Sequence, residues 1–169
     1  VVNRAVANNK IAFNPFASYK LERQEVSPDF LNEDELRRII NFNSPLPRLE
    51  RTRDMFLFAC YTGLSYIDVK TLKVEHLERD NQGRMWIKKK RVKTGVLARI
   101  PLLPNAKMLI DKYAGGDTLM PIYSDKDINL YLKDIAILCH IDKRITYHTA
   151  RHGEFSFLLK FKHLQFFAA

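Results

Sequence analysis

Cysteine is scarce in this chain. The two present, Cys60 and Cys139, stand in apolar helical contexts without metal-ligand spacing. A disulfide framework is therefore excluded, and reduced core thiols of a cytosolic protein are expected. Long apolar runs are lacking as well. The longest notable one, Met55 to Tyr61, is far short of the roughly 18 residues that cross a bilayer. No signal-peptide pattern opens the chain, internal repeats and low-complexity tracts are missing, and no cluster of carboxylates stands out to hold Mg²⁺. Secreted, membrane-spanning and metal-nuclease classes all lose ground. Acidic residues are outnumbered, 19 against 28 Lys and Arg, for a net charge of +9. Such an imbalance favours a polyanionic partner, nucleic acid first and an anionic membrane surface second. The 46% hydrophobic content is ample for one core in 169 residues. The first residue is Val1 rather than Met, as expected for a piece of something longer.

Residues 1 to 12 read as the end of a helix, broken by Asn14-Pro15-Phe16. Residues 1–17 are expected to be the tail of a separate N-terminal domain, 18–29 a polar linker, and 30–169 the main domain. There Asn32 and Glu35 form a capping box opening a helix to about Phe42. A second helix spans roughly Arg48 to Tyr61, stopped by Gly63; a short third covers about Ser65 to Leu72. Met85-Trp86-Ile87 and Ala98 to Leu102 read as strands around a basic turn at Lys93-Thr94-Gly95, with a possible earlier strand near Leu72 to His76. Two more helices follow, about Asn105 to Tyr113 and Ser124 to Cys139. The second of these has Ile128, Leu132, Ile135 and Ala136 or Cys139 as its core stripe. The fold class expected is α+β: mainly helical, with a two- or three-stranded antiparallel sheet.

Three stretches carry chemistry. His148-Thr149-Ala150-Arg151-His152 puts an imidazole and a guanidinium three residues apart. At a helix start both would face one way, over N–H groups suited to a phosphate oxygen. Alone, such a pair is more often an ordinary helix face. Lys88, Lys89, Lys90, Arg91 and Lys93 crowd one strand and its turn. They suit a DNA groove, or equally a solvated edge kept from aggregating. Tyr61-Thr62-Gly63-Leu64-Ser65-Tyr66-Ile67-Asp68 is, as pure structure, a helix stop and restart.

Taken in order, Thr-Gly-Leu-x-x-x-Asp, Lys-Thr-Gly with Ile-Pro-Leu beyond it, and His-x-x-Arg-His resemble the catalytic domain of the tyrosine recombinases, the phage-integrase family. The branch carried by conjugative transposons is the most similar. The resemblance covers residues 30 to 152. It implies a site-specific integrase that cleaves and rejoins duplex DNA through a 3′-phosphotyrosine, without metal or cofactor. It further implies a synaptic tetramer on attachment sites and a place in the bacterial cytoplasm, at the nucleoid. Arg151 matches the family's bidentate donor to the non-bridging oxygens, where transition-state charge gathers. His148 matches its hydrogen-bonding or proton-handling partner. Lys93 matches the general acid for the 5′-oxygen, and a lysine ammonium carries a proton to give. Asp68 and His152 match supporting positions.

Two departures stand out. Ser65 occupies the position where the family has its first arginine, and losing one transition-state donor typically costs ~2.7–4 kcal/mol. Arg53 is the expected substitute, with Arg51 the weaker choice and pairing to Asp54 or Glu50 the alternative for Arg53. Second, the nucleophilic tyrosine lies downstream of His-x-x-Arg in the family, whereas tyrosines 19, 61, 66, 113, 123, 131 and 147 all precede Arg151. The stretch 153–169, rich in phenylalanine, does not resemble the family's continuation. The chain is accordingly expected to bind DNA, as a monomer, without cleaving it alone. It reads as a recombinase fragment or as a cleavage-dead DNA-binding relative. A basic protein of another class, matching by chance, is the third reading.

Overall fold

A computed structural model describes residues 2–16, 30–116 and 118–150. The polar stretch 18–29, Arg151, His152 and residues 153–169 lie outside the described residues. A short helix, α1 (Val2–Ala7), stands in the N-terminal stretch. The main body begins with α2 (Glu33–Asn41), α3 (Pro47–Thr62) and α4 (Tyr66–Lys70). Three strands follow, β1 (Leu77–Arg79), β2 (Met85–Lys90) and β3 (Leu97–Pro101). Then come α5 (Pro104–Lys112) and α6 (Asp125–Leu138). The strands form an antiparallel meander in the order β1-β2-β3.

Local chemistry explains most boundaries. Asn32 Oδ1 accepts from the Glu35 N–H at 2.8 Å, and Glu35 Oε2 accepts from the Asn32 N–H at 2.7 Å, which completes the capping box. Gly63 ends α3 in the left-handed conformation, φ 64°, where a Cβ would be strained. Ser124 caps α6 through the Asp127 N–H. One expectation moved: residues Val74–His76 form a single 3₁₀ turn, and the first strand lies after them at Leu77–Arg79. Only there does the register with Met85 and Ile87 begin.

Helix α3 is the centre of the core. Met55, Phe56, Phe58 and Ala59 are fully buried, against the stripe Ile128, Leu132, Ile135 of α6. Burying each such large side chain contributes about 1.5–3 kcal/mol. Both cysteines are buried and unbridged. No described helix is long and apolar enough to cross a membrane. Helix α2 also fixes the chain's path beyond α6. Arg38 donates to the carbonyls of Cys139 and His140 at 2.8 and 2.6 Å, and Lys143 pairs with Glu35 at 2.8 Å. Burial tends to raise the Glu35 carboxyl. The Lys143 and Asn32 bonds, with the charges of Lys143 and Arg38, outweigh it and hold the carboxyl below its ordinary value.

A candidate DNA-phosphate site

Ser65 is the N-cap of α4. Its Oγ accepts from the Asp68 N–H at 3.4 Å and donates to Asp68 Oδ2 at 2.6 Å. Asp68, almost fully buried, uses its other oxygen to accept the N–H of Val92 at 2.8 Å. That bond joins α4 to the β2–β3 hairpin one residue before Lys93, which is exposed in the turn. The turn is closed by Arg91 and Val96 (2.8 Å) and by the Gly95 N–H to the Arg91 carbonyl (2.8 Å), with Gly95 at φ 69°. Residue 68 thus bridges two of the three sequence stretches.

The third stretch arrives beside α4. The Tyr147 ring meets the Tyr66 ring edge-on, centroids 5.9 Å apart, and the Tyr147 N–H donates to Asn129 Oδ1 of α6 at 2.9 Å. Thr146 and Thr149 cap one another: Thr149 N–H donates to the Thr146 carbonyl at 2.9 Å, and Thr146 N–H to Thr149 Oγ1 at 3.1 Å. Residues 149 and 150 begin a helical turn, so His148, exposed next to buried Tyr147, stands at its start. Ser65, Val92 before Lys93 and Tyr147 before His148 are therefore tied to α4 by hydrogen bonds and one aromatic contact. Arg151 and His152 are outside the described residues.

Two assignments need correction. Arg53 is not brought to Ser65. Its guanidinium is nearly buried and bonded to Asp54 (2.8 and 2.7 Å), the Phe42 carbonyl and Asn43 Oδ1 (3.3 Å), with Glu50 at 3.9 Å. None of these touches Ser65, and α3 continues nine residues past Arg53 to Thr62, roughly 14 Å of helix. The guanidinium instead faces a cavity of about 460 Å³ between α2, α3 and α5 that has none of Ser65, Asp68, Lys93 or His148 in its walls. Lys89 is the second correction. It is buried, its Nζ donating to the Thr71 carbonyl at 3.0 Å, because alternate residues of a strand face opposite sides and Lys89 shares the inner side with Ile87. Lys88, Lys90 and Arg91 stay on the surface side or in the turn, with Lys88 paired to Glu78 at 3.0 Å.

Sequence reasoning missed the Asp68–Val92 bond, since nothing in the order of residues shows which amide a buried carboxylate will meet. Burial, chiefly, pushes the Tyr147 hydroxyl above its ordinary value and the Tyr61 hydroxyl up to about 12. Among the described residues no group of three or more His, Cys, Asp or Glu side chains converges as a metal site would require.

The fold is shared with DNA-processing enzymes. The chain is similar to a lambda integrase (75–356) dimer bound to a COC′ core site, with TM-score 0.70 and 21% identity over 90% of this chain and 58% of that one. It is similar to the XerH site-specific recombinase bound to difH, with TM-score 0.60 and 16% identity over 80% and 44%. A third similar structure is the integrase from mycobacterium phage Brujita, TM-score 0.61 and 18% identity over 94% and 54%. The chain spans about half the length of these structures. No curated protein matches it in sequence. The phage integrase family model, however, matches residues 29–160, which takes in all three motif stretches and the whole scaffold that gathers them. With fold, motif order and sequence model in agreement, the chain belongs to the phage integrase family, the tyrosine recombinases.

Proposed function

We propose that residues 30–169 belong to the catalytic domain of a site-specific integrase of a mobile element, of the conjugative-transposon type, and supply its grip on a duplex phosphate. Residues 1–17 are then the tail of the preceding core-binding domain and 18–29 the linker. The observation that carries this reading is the Asp68 bridge. It holds the Ser65 cap and the Lys93 turn together, beside the turn that begins at His148. Lys93 delivers a proton to the leaving 5′-oxygen, while His148 and Arg151 hold the non-bridging oxygens. In the complete protein a tyrosine attacks phosphorus, the P–O5′ bond breaks, and a 3′-phosphotyrosine forms; attack by a 5′-hydroxyl reverses the step. The DNA-bound dimers and the Holliday-junction tetramer of lambda integrase, similar to this chain in fold, support duplex DNA and further protomers as partners. A bacterial cytoplasm is the corresponding place of action.

The test is a nicked duplex that traps covalent protein. A chain extended by the family's tyrosine-bearing segment forms a gel-stable adduct, lost in Lys93→Ala and regained when sulfur replaces the 5′-bridging oxygen, a leaving group needing no general acid. Failure of the extended chain to form any adduct contradicts the cleavage role. A second reading, a DNA-binding relative that does not cleave, is favoured by Ser65 at the position matching the family's first arginine. It predicts tight duplex binding and no adduct even after extension.

A further inference from the structure

The outer face of the sheet carries an arrangement that the cleavage chemistry does not use. Register sets Trp86 between Glu78 and Pro101, Lys88 beside Arg99, and Lys90 beside Leu97. Strand alternation turns Trp86, Lys88 and Lys90 away from buried Ile87 and Lys89. The indole is fixed at its edge. Its Nε1 donates to Asp80 Oδ2 at 2.9 Å, and Asp80 also accepts Arg84 Nε at 2.8 Å and the N–H groups of Gln82 and Arg84, each at 2.9 Å. These bonds, the indole's first, hold the Asp80 carboxyl far below the usual carboxylate range. On the ring so fixed lies Arg99, its guanidinium carbon 4.6 Å from the centroid, with that of Arg84 at 5.9 Å.

A sheet edge that only needs protection from aggregation is served by mobile lysines. An arginine stacked on an anchored indole is a different device. Stacking occupies the guanidinium face and leaves its planar N–H fork for a bidentate anion. The two carboxylates on this face, Glu78 and Asp80, are already paired with Lys88 and Arg84. Among the described residues Arg99 and Lys90 have no acidic partner. We propose that this face is a second phosphate-contact surface, on which Arg99, held by Trp86, and Lys90 grip the backbone of duplex DNA beside the hairpin tip. The proposal rests on the DNA-binding reading above and extends it from the basic run, of which Lys90 is part, to Arg99 and the Trp86 that holds it. Two unpaired cations, one with a planar fork, complement a phosphodiester chain.

Trp86 is the one tryptophan of the chain, so intrinsic fluorescence reports on this face. The full chain is titrated with labelled duplex while anisotropy and tryptophan emission are followed together. Emission should change with the same midpoint as anisotropy, and added salt should reverse both. Arg99→Ala should reduce the log–log salt slope by about 0.9, and Arg99→Lys should keep the slope with weaker affinity. Duplex binding with unchanged emission and an unchanged Arg99→Ala slope would overturn the proposal while leaving the DNA reading intact. No anisotropy change at low salt would overturn both. An emission change that follows protein concentration without DNA would assign the face to a second copy of the chain and equally overturn the proposal.

Discussion

Asp54 and Asp68 are both buried aspartates, fourteen residues apart, yet their surroundings are opposites. Asp54 receives Arg53, Lys112 at 2.8 Å and the Tyr113 hydroxyl at 2.7 Å, while Lys112 also reaches Glu50 at 2.6 Å. Its charge is neutralised within the domain, tying α3 to α5. Burial, and then the bond to Asp54, pushes the Tyr113 hydroxyl above its ordinary value. Asp68 receives a hydroxyl and an amide, and among the described residues no cation pairs with it. The side chain beside it is that of Ser65, which donates to its second oxygen. Asp54 thus has its charge met by cations inside the domain, whereas Asp68 ties a helix cap to the hairpin one residue before Lys93. Proximity in sequence to the Thr-Gly-Leu motif says little about which of the two a charged residue serves.

Removing each partner sharpens the contrast. Asp54→Ala should be the most damaging, leaving Arg53 nearly buried without its acid; breaking such pairs costs about 3–5 kcal/mol. Urea denaturation would show it, with any duplex binding by the folded fraction retained. Asp68→Ala should cost less, about 0.5–1.5 kcal/mol for the lost bond to the amide of Val92, an exposed residue whose N–H water can reach. Its effect should be local: hydrogen exchange of the Val92 amide should accelerate while that of α6 does not. Equal acceleration everywhere would erase the distinction between the two aspartates. Ser65→Ala should cost about 1 kcal/mol as a lost cap. Ser65→Arg gives Asp68 the cation it lacks and should steepen the salt dependence of duplex binding by about 0.9 in log–log slope.

The smallest effect concerns pH. Glu35, held below its ordinary value, binds its proton more weakly folded than unfolded. Its contribution is complete above the unfolded value of about 4.3 and is lost as pH falls through the lower folded value. Melting temperature should fall in that acid window, and Glu35→Gln should flatten the fall. An identical acid profile in the variant would assign the lability to other carboxylates.

Most of the fold was legible because its signals are local. Asn32 with Glu35, Gly63 after Thr62 and Ser124 with Asp127 each set a helix end within four residues. Assignments that depended on distant partners fared differently. Arg53 was expected to replace the missing arginine, with pairing to Asp54 or Glu50 as the alternative; the Phe42 carbonyl and the buried Asp54 network hold it in the α2–α3–α5 region, as that alternative has it. Lys89 could have been separated from Lys88 and Lys90 by alternation with Ile87, a signal present in the sequence and hidden by the run of identical charges. The Arg99–Trp86 stack needs the β2–β3 register, which follows from the turn geometry and not from composition.

The central claim is that Lys93, on a hairpin held by Asp68, contacts duplex phosphate. The most direct test is the salt dependence of duplex binding by the full chain and by Lys93→Ala. Binding at low salt, with a log–log slope smaller by about 0.9 in the variant, is the predicted result. Absent binding, or a slope indifferent to Lys93, would contradict the account.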